Sequence, residues 1–233
     1  MAELNIDLHP AQLEIFKSNK RFKIVAAGRR FGKSYLSAWL LLINAIKSES
    51  KDVFYIAPTF QQAKDIMWAM LKELGKDLII QAYENTAVLT LINGRKIYLK
   101  GSDRPETLRG VGLSYVVLDE YASMKPIVWE QIIRPTLADV KGRALFIGTP
   151  AGKNHFFDLY QEAQEDEDWD AFQFTSIDNP FLPKEEISAA SKSMSSMSFR
   201  QEFEASFETF SGGIFKESWF KEDEEPDEGS YCI

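Results

Sequence analysis

The sequence predicts an α/β fold: a mostly parallel central sheet flanked by helices, with a smaller unit on its edge. Three observations predict it. Strand-like and helix-like segments alternate along the chain; segments 114–120 and 143–150 are apolar on both faces, as strands in the middle of a parallel sheet are; and right-handed crossovers make such a sheet doubly wound.

The elements follow in order. A short helix opens at Pro10, where a missing N–H costs nothing, and the strand 22–27 (FKIVAA) comes next. A Gly-containing loop leads into an apolar-rich helix from about Lys33 to Lys47. The strand 52–57 (DVFYIA) ends before Pro58, and a helix follows over 61–74, with Ile66, Met67, Met70, Leu71 and Leu74 at helical spacing. Two period-two runs around Asn93-Gly94 predict a hairpin over 87–101 with a type I′ turn. The buried strand 114–120 ends in two acids, a helix interrupted near Pro135 follows it, and 143–150 is the next buried strand. From Asn154 the pattern changes to helices, one strand-like stretch (WDAFQFTS) and a polar run. We expect a core over 1–150, a lid or linker subdomain over 151–220, and an acidic linker over 221–233.

Composition narrows the function. A chain of 233 residues that is 45% hydrophobic, with 17 Phe and 5 Trp, can bury roughly 70–75% of its unfolded surface, which excludes global disorder. No apolar run reaches the ~18–20 residues of a membrane span, and MAELNIDLHP lacks the layout of a secretory signal, so a soluble, non-exported protein without a membrane partner is expected. One cysteine, Cys232, and two distant histidines, His9 and His155, leave no zinc-type cluster, so any metal must be held by oxygen ligands. The net charge is −8 but unevenly spread: residues 1–160 hold 22 Lys/Arg against 16 Asp/Glu, net +6. The basic part can face phosphates, while the acidic runs from Glu162 to Asp170 and Glu222 to Glu228 read as solvated surface.

The sharpest chemical signal is AAGRRFGKS, residues 26–34, at a strand-to-helix junction. A phosphate-binding loop needs inward N–H groups, a helix N-terminus facing the anion, a lysine over the outer phosphates and a hydroxyl for Mg²⁺. Gly32, Lys33 and Ser34 fill the last places; the first glycine of the usual spacing is replaced by Ala27, and Gly28 comes one position late. With Arg29, Arg30 and Phe31 between them, residues 27–34 are the candidate nucleotide-binding loop.

The second signal is YVVLDE. In a phosphate-loop enzyme the strand neighbouring the loop ends in an acid that holds the Mg²⁺ water shell, here Asp119, with Ser34 as the other metal-site residue. The next carboxylate, Glu120, is then positioned to orient or deprotonate the attacking water. Arg29 and Arg30 can stabilise charge developing on the γ-phosphoryl, although either could instead pair with the domain's own acids. Thr149, at the end of the next strand, would lie beside the γ-phosphate, and Gln12 could bond an adenine edge. Arg109 precedes the Asp119 strand and falls roughly 15 Å or more from its acidic end, badly placed for its own nucleotide and better placed for a neighbouring subunit's. A plain surface arginine is the alternative.

With these residues in hand, the chain resembles the ATPase domain of the large terminase subunit of tailed bacteriophages. HPAQ, GRRFGKS, YIAPTFQQA, GSDRPETLRG, VVLDE, FIGTPAG, TSIDNPFLP and FRQEFEASFETFSGGIF occur in the family's order, over nearly the whole chain. The resemblance implies a P-loop NTPase of the additional-strand catalytic-glutamate (RecA-like) type, with ATP and Mg²⁺ as ligands. Among site residues it implies a loop arginine, matching Arg29, and in some members a finger donated by the neighbour, matching Arg109, so that catalysis would rest on Lys33, Arg29, Glu120 and Arg109.

It further implies translocation of double-stranded viral DNA into a procapsid, with the portal protein and the small terminase subunit as partners and the host-cell cytoplasm as location. Assembly is expected to be a homo-oligomeric ring, typically a pentamer; the isolated domain is also compatible with a monomer. A ribonuclease-H-like nuclease domain normally follows, but the chain stops at GSYCI with no metal-binding acids after it. No nuclease activity is expected of these residues, which implies a piece of a longer protein or a naturally split gene. A helicase-class ATPase, and a nucleotide-gated assembly module without turnover, are the competing readings.

Overall fold

The computed structural model describes residues 6–208. The acidic linker expected over 221–233 lies outside them. Helix α1 (Pro10–Lys17) is capped by the His9 imidazole and the Gln12 amide in a reciprocal capping box. Strand β1 (Phe22–Ala27), helix α2 (Lys33–Lys47) and strand β2 (Asp52–Ala57) match the sequence reading residue for residue. Helix α3 (Phe60–Leu74) starts one residue earlier than read, because Thr59 and Gln62 close a second capping box.

Strands β3 (Ile79–Tyr83), β4 (Val88–Leu91) and β5 (Lys96–Gly101) form an antiparallel meander. The hairpin is present, but its turn is not type I′. Only Gly94 has a positive φ, and Leu91 N–H bonds the Arg95 carbonyl while Gly94 N–H bonds that of Leu91, giving a three-residue loop with its left-handed position at glycine. The reason is Asn93, whose amide is recruited by the end of α2, donating to the Ala45 and Ile46 carbonyls.

Strand β6 (Leu113–Asp119) leads to a π-helical turn over Val128–Ile133, a short α4 (Arg134–Thr136) and β7 (Arg143–Gly148). After these come α5 (His155–Glu165), β8 (Trp169–Phe174), α6 (Lys184–Ser193) and α7 (Ser196–Phe203). Among the described residues the strands form one eight-stranded sheet in the order β3-β4-β5-β2-β6-β7-β1-β8, parallel from β5 through β8. The strand-like stretch near residue 170 is thus the eighth strand of the main sheet, paired with β1 from Phe22↔Trp169 to Ala27↔Phe174.

This order corrects one expectation. The strand carrying Asp119 is not the loop strand's neighbour: β7 lies between β6 and β1, in register with both. The inserted strand is what places Thr149, just past the end of β7, between the loop and the acids.

Successive residues of the central strands feed two cores. Val25, Ala27, Tyr115 and Val117 face α2 and α3, while Ile24, Ala26, Val116 and Leu118 face the π-turn and α5. That double burial explains why these strands read as continuous apolar runs. It also leaves their C-terminal ends as the edge where polar groups meet.

Candidate nucleotide site

The loop between β1 and α2 turns on two left-handed residues, Arg30 (φ 62°) and Gly32 (φ 99°). The departure from the usual glycine spacing has a local cause. Ala27 is fully buried at the end of β1 with its side chain in the α2/α3 core, a place a methyl group fills. Gly28 is required one position later, because a Cβ there would lie 2.5 Å from the Phe203 carbonyl oxygen and 2.6 Å from Ser176 Oγ.

The loop is held from two sides. His9 Nε2 bonds the Phe31 carbonyl (2.9 Å) and the Gln12 amide donates to the Gly32 carbonyl (2.9 Å). The Ser176 hydroxyl donates to the Arg29 carbonyl (2.6 Å) and the Asn179 amide to that of Arg30 (2.7 Å). All four turn loop carbonyls away from the cleft, and the N-terminus of α2 carries no side-chain cap, so its first N–H groups stay available to an anion. The Phe31 ring stacks on Phe174 (5.2 Å between centroids), so only its backbone serves the cleft.

Lys33 is buried, and its ammonium donates to the Ala27 and Gly28 carbonyls (2.7 and 3.0 Å) and to Thr149 Oγ1 (3.2 Å). Burial pulls its pKa below the ordinary lysine value, with Glu120 and then Asp119 opposing. The cation therefore sits on neutral acceptors beside a cleft of about 450 Å³ lined by loop residues together with Ser34, Glu120 and Thr149.

Asp119 is buried at the end of β6. Its Oδ2 accepts the Tyr55 hydroxyl and its Oδ1 accepts the Glu120 N–H (2.9 Å). Burial raises its pKa from 3.8 to about 6, opposed first by the Tyr55 bond. Glu120 adopts the left-handed region (φ 52°, ψ 45°), a conformation that costs a non-glycine residue on the order of 1–2 kcal/mol. That turn lifts the Glu120 carboxylate out of the strand and into the cleft.

The structure thus brings together Ala27, Gly28, Arg29, Arg30, Phe31, Gly32, Lys33, Ser34, Asp119, Glu120 and Thr149 at one edge of the sheet. Two arginines are paired with acids of their own chain. Arg29 forms an ion pair with Glu202 on α7, which raises its pKa. Arg109 is exposed, bonds Glu106 (2.9 Å), and precedes the N-terminal end of β6, away from the acids. Gln12 is buried under the loop, where its carbonyl accepts His9 N–H and its amide holds Gly32. His9, Tyr55, Ser176, Asn179 and Glu202 were not singled out as site residues in the sequence, although all five lie in motifs of the resemblance: His9 in HPAQ, Tyr55 in YIAPTFQQA, Ser176 and Asn179 in TSIDNPFLP, and Glu202 in FRQEFEASFETFSGGIF.

The residues present fit Mg²⁺ and a nucleoside triphosphate. An uncapped helix N-terminus and a buried ammonium suit an anion, and the buried carboxylate of Asp119, at the same end of the sheet as Ser34, suits a divalent cation.

Residues 24–222 match the family described as "Terminase large subunit, T4likevirus-type, N-terminal". The chain is 30% identical over 202 residues to the terminase large subunit of Escherichia phage T5, covering 84% of this chain and 46% of that protein. It spans about half the length of the curated relatives it matches. Among solved structures, the large terminase ATPase domain of Thermus phage P74-26 superposes with a TM-score of 0.77 at 24% identity, over 88% of this chain and 95% of that one. A large terminase from a thermophilic bacteriophage, solved in complex with ADP, superposes with a TM-score of 0.75 at 17% identity, over 87% of this chain and 54% of that one.

Proposed function

The chain belongs to the large terminase subunit family, as its T4-like N-terminal part, and from that premise we propose that it binds ATP with Mg²⁺ and hydrolyses it as the motor domain of a viral DNA-packaging enzyme. One observation carries the reading: the ammonium of Lys33, paired only with neutral oxygens, shares a cleft with Glu120 and Thr149, beside buried Asp119. The ADP complex of a structural neighbour is in keeping with nucleotide binding.

The chain's residues then divide the work. Lys33 exchanges the Ala27 and Gly28 carbonyls for the outer phosphates, which are stronger acceptors. Ser34 and Asp119 hold the Mg²⁺ and its waters; when bound, the ion neutralises phosphate charge. Glu120 orients the attacking water and takes its proton as oxygen bonds to the γ-phosphorus and ADP leaves. Thr149, already bonded to Lys33, reports the loss of the γ-phosphate to β7. Arg29 leaves Glu202 to stabilise charge on the transferring group. Gln12, whose amide also holds the Gly32 carbonyl, would bond an adenine edge with its remaining N–H.

The wider reading follows from the family. The chain would act on double-stranded DNA, in a ring docked on the portal of a procapsid, with the small terminase subunit, in the host-cell cytoplasm. Steady-state ATPase with and without duplex DNA tests the proposal. Slow turnover by the chain alone, rising on assembly with DNA, is expected. Intact Mg–ATP binding with no turnover under either condition would contradict hydrolysis and favour a nucleotide-gated assembly module.

A further inference from the structure

A second cluster of cations lies at the opposite end of the sheet from the nucleotide site. Lys20, Arg21, Lys23, Lys47 and Arg143 line one cavity of about 120 Å³ at the N-terminal ends of β1 and β7 and the C-terminal end of α2. None of the five forms an ion pair among the described residues. Four of them donate to backbone carbonyls: Lys20 to Glu167 (2.6 Å), Arg21 to Gly142 (3.1 Å), Lys23 to Ile15 (2.8 Å) and Arg143 to Lys20 (2.8 Å). An arginine carries five donors and a lysine three, so most of the donor capacity around the cavity is unspent.

Tyr115 supplies an independent observation. It lines the same cavity, it is 3% exposed, and among the described residues its hydroxyl has no hydrogen-bond partner. A buried hydroxyl left unpaired costs roughly 1–3 kcal/mol, a cost that a ligand accepting its proton would remove. Burial also pulls Lys23 down to about 8, with Arg143 adding to the effect and Asp170 opposing it. The Asp170 carboxylate accepts the Ser18 hydroxyl (2.6 Å) and forms no ion pair with Lys23 among the described residues. In a chain of net charge −8, five cations around one small cavity, with a buried phenol facing it, form a built anion site.

We propose that this cavity binds a phosphate-type oxyanion, either free phosphate or a nucleic-acid backbone phosphate, held by Arg143, Lys23 and the Tyr115 hydroxyl with Lys20, Arg21 and Lys47 at its mouth. The site does not depend on ATP hydrolysis at the other edge of the sheet.

The test uses the full chain carrying Lys33→Ala, which removes the loop's own cation and so weakens any response of the nucleotide loop to phosphate. Thermal unfolding is followed in millimolar inorganic phosphate against chloride at constant ionic strength, and binding of a short DNA duplex is measured in parallel. A rise in Tm of roughly 3 °C or more with phosphate is expected, halved or lost on adding Arg143→Gln, Lys47→Gln or Tyr115→Phe. Lys47 is exposed and Tyr115→Phe keeps the ring, so both guard against a variant that simply fails to fold. If the occupant is a DNA phosphate, the same variants weaken duplex binding several-fold instead. Phosphate and duplex responses both unchanged in all three variants would overturn the site.

Discussion

The Tyr55 hydroxyl, on β2, is hydrogen-bonded to Oδ2 of Asp119 at the end of β6, so a buried phenol fixes the carboxylate assigned to Mg²⁺. Asp119 titrates near 6 in the folded chain against 3.8 ordinarily, so the native state binds more protons between these values. Stability of the nucleotide-free chain should therefore fall as pH rises from about 4 to 6 and level off above it, a loss on the order of 3 kcal/mol. Asp119→Asn should remove that slope and abolish Mg–ATP turnover. Tyr55→Phe takes away a bond that lowers the Asp119 pKa, so the acidic limb of the ATPase profile should move to higher pH. Denaturant titrations across pH check the first statement, and a slope surviving in Asp119→Asn would refute it.

Gly28 and Ala27 make paired predictions about the same motif. Gly28→Ala drives a Cβ into the Phe203 carbonyl and Ser176, and should cost roughly 1–3 kcal/mol by loosening the α7 end from the loop. Ala27→Gly restores the usual glycine spacing, yet it should cost about 0.5–1 kcal/mol and leave nucleotide affinity unimproved, because Ala27 serves the core. Urea unfolding and nucleotide titration of both variants check this.

The Arg29–Glu202 pair is largely exposed on the arginine side, so its contribution to stability is small, below about 1 kcal/mol. Its effect should appear in binding. Glu202→Gln frees Arg29 and should tighten nucleotide affinity a few-fold with stability nearly unchanged, whereas Arg29→Ala should lower turnover far more than binding. Equal affinity of Glu202→Gln and the parent chain would mean that Arg29 does not exchange partners.

Much of this was legible in the sequence, for physical reasons. Pro10, Pro58 and the loop glycines punctuate the chain, so β1, α2 and β2 were read to the residue. Strand β3 was not, because IIQAY is exposed on an edge and owes its conformation to pairing with β4. The place of β7 between β1 and β6 is a fact of sheet order, which no local pattern carries. In the site, Lys33, Asp119 and Glu120 announce themselves through spacing. His9, Ser176 and Asn179 act on backbone carbonyls of a loop distant in sequence, and Tyr55 reads as one more apolar strand residue until its hydroxyl is seen on Asp119.

Arg109 follows the 3-10 turn Pro105–Leu108 and precedes the N-terminal end of β6, the end opposite Asp119 and Glu120, a position in keeping with use by a neighbouring protomer. A donated arginine contributes about 10³–10⁵ in rate in phosphoryl transfer, so Arg109→Ala should remove assembly-dependent hydrolysis and spare ATP binding. Mixing Arg109→Ala with Glu120→Gln subunits should restore part of the activity, since some interfaces pair an intact Glu120 with a neighbour's intact Arg109. No recovery in demonstrably mixed assemblies would assign Arg109 a role within its own subunit.

The most direct measurement is ATP affinity and single-turnover hydrolysis, side by side, for the parent chain, Lys33→Ala and Glu120→Gln. Glu120→Gln keeps shape and removes the base, so binding should stay within about two-fold while hydrolysis falls on the order of 10²–10⁴-fold. Lys33→Ala should weaken binding itself. Hydrolysis by Glu120→Gln at the parent rate, or unchanged ATP affinity in Lys33→Ala, would contradict a catalytic site built from this loop and this acidic strand end.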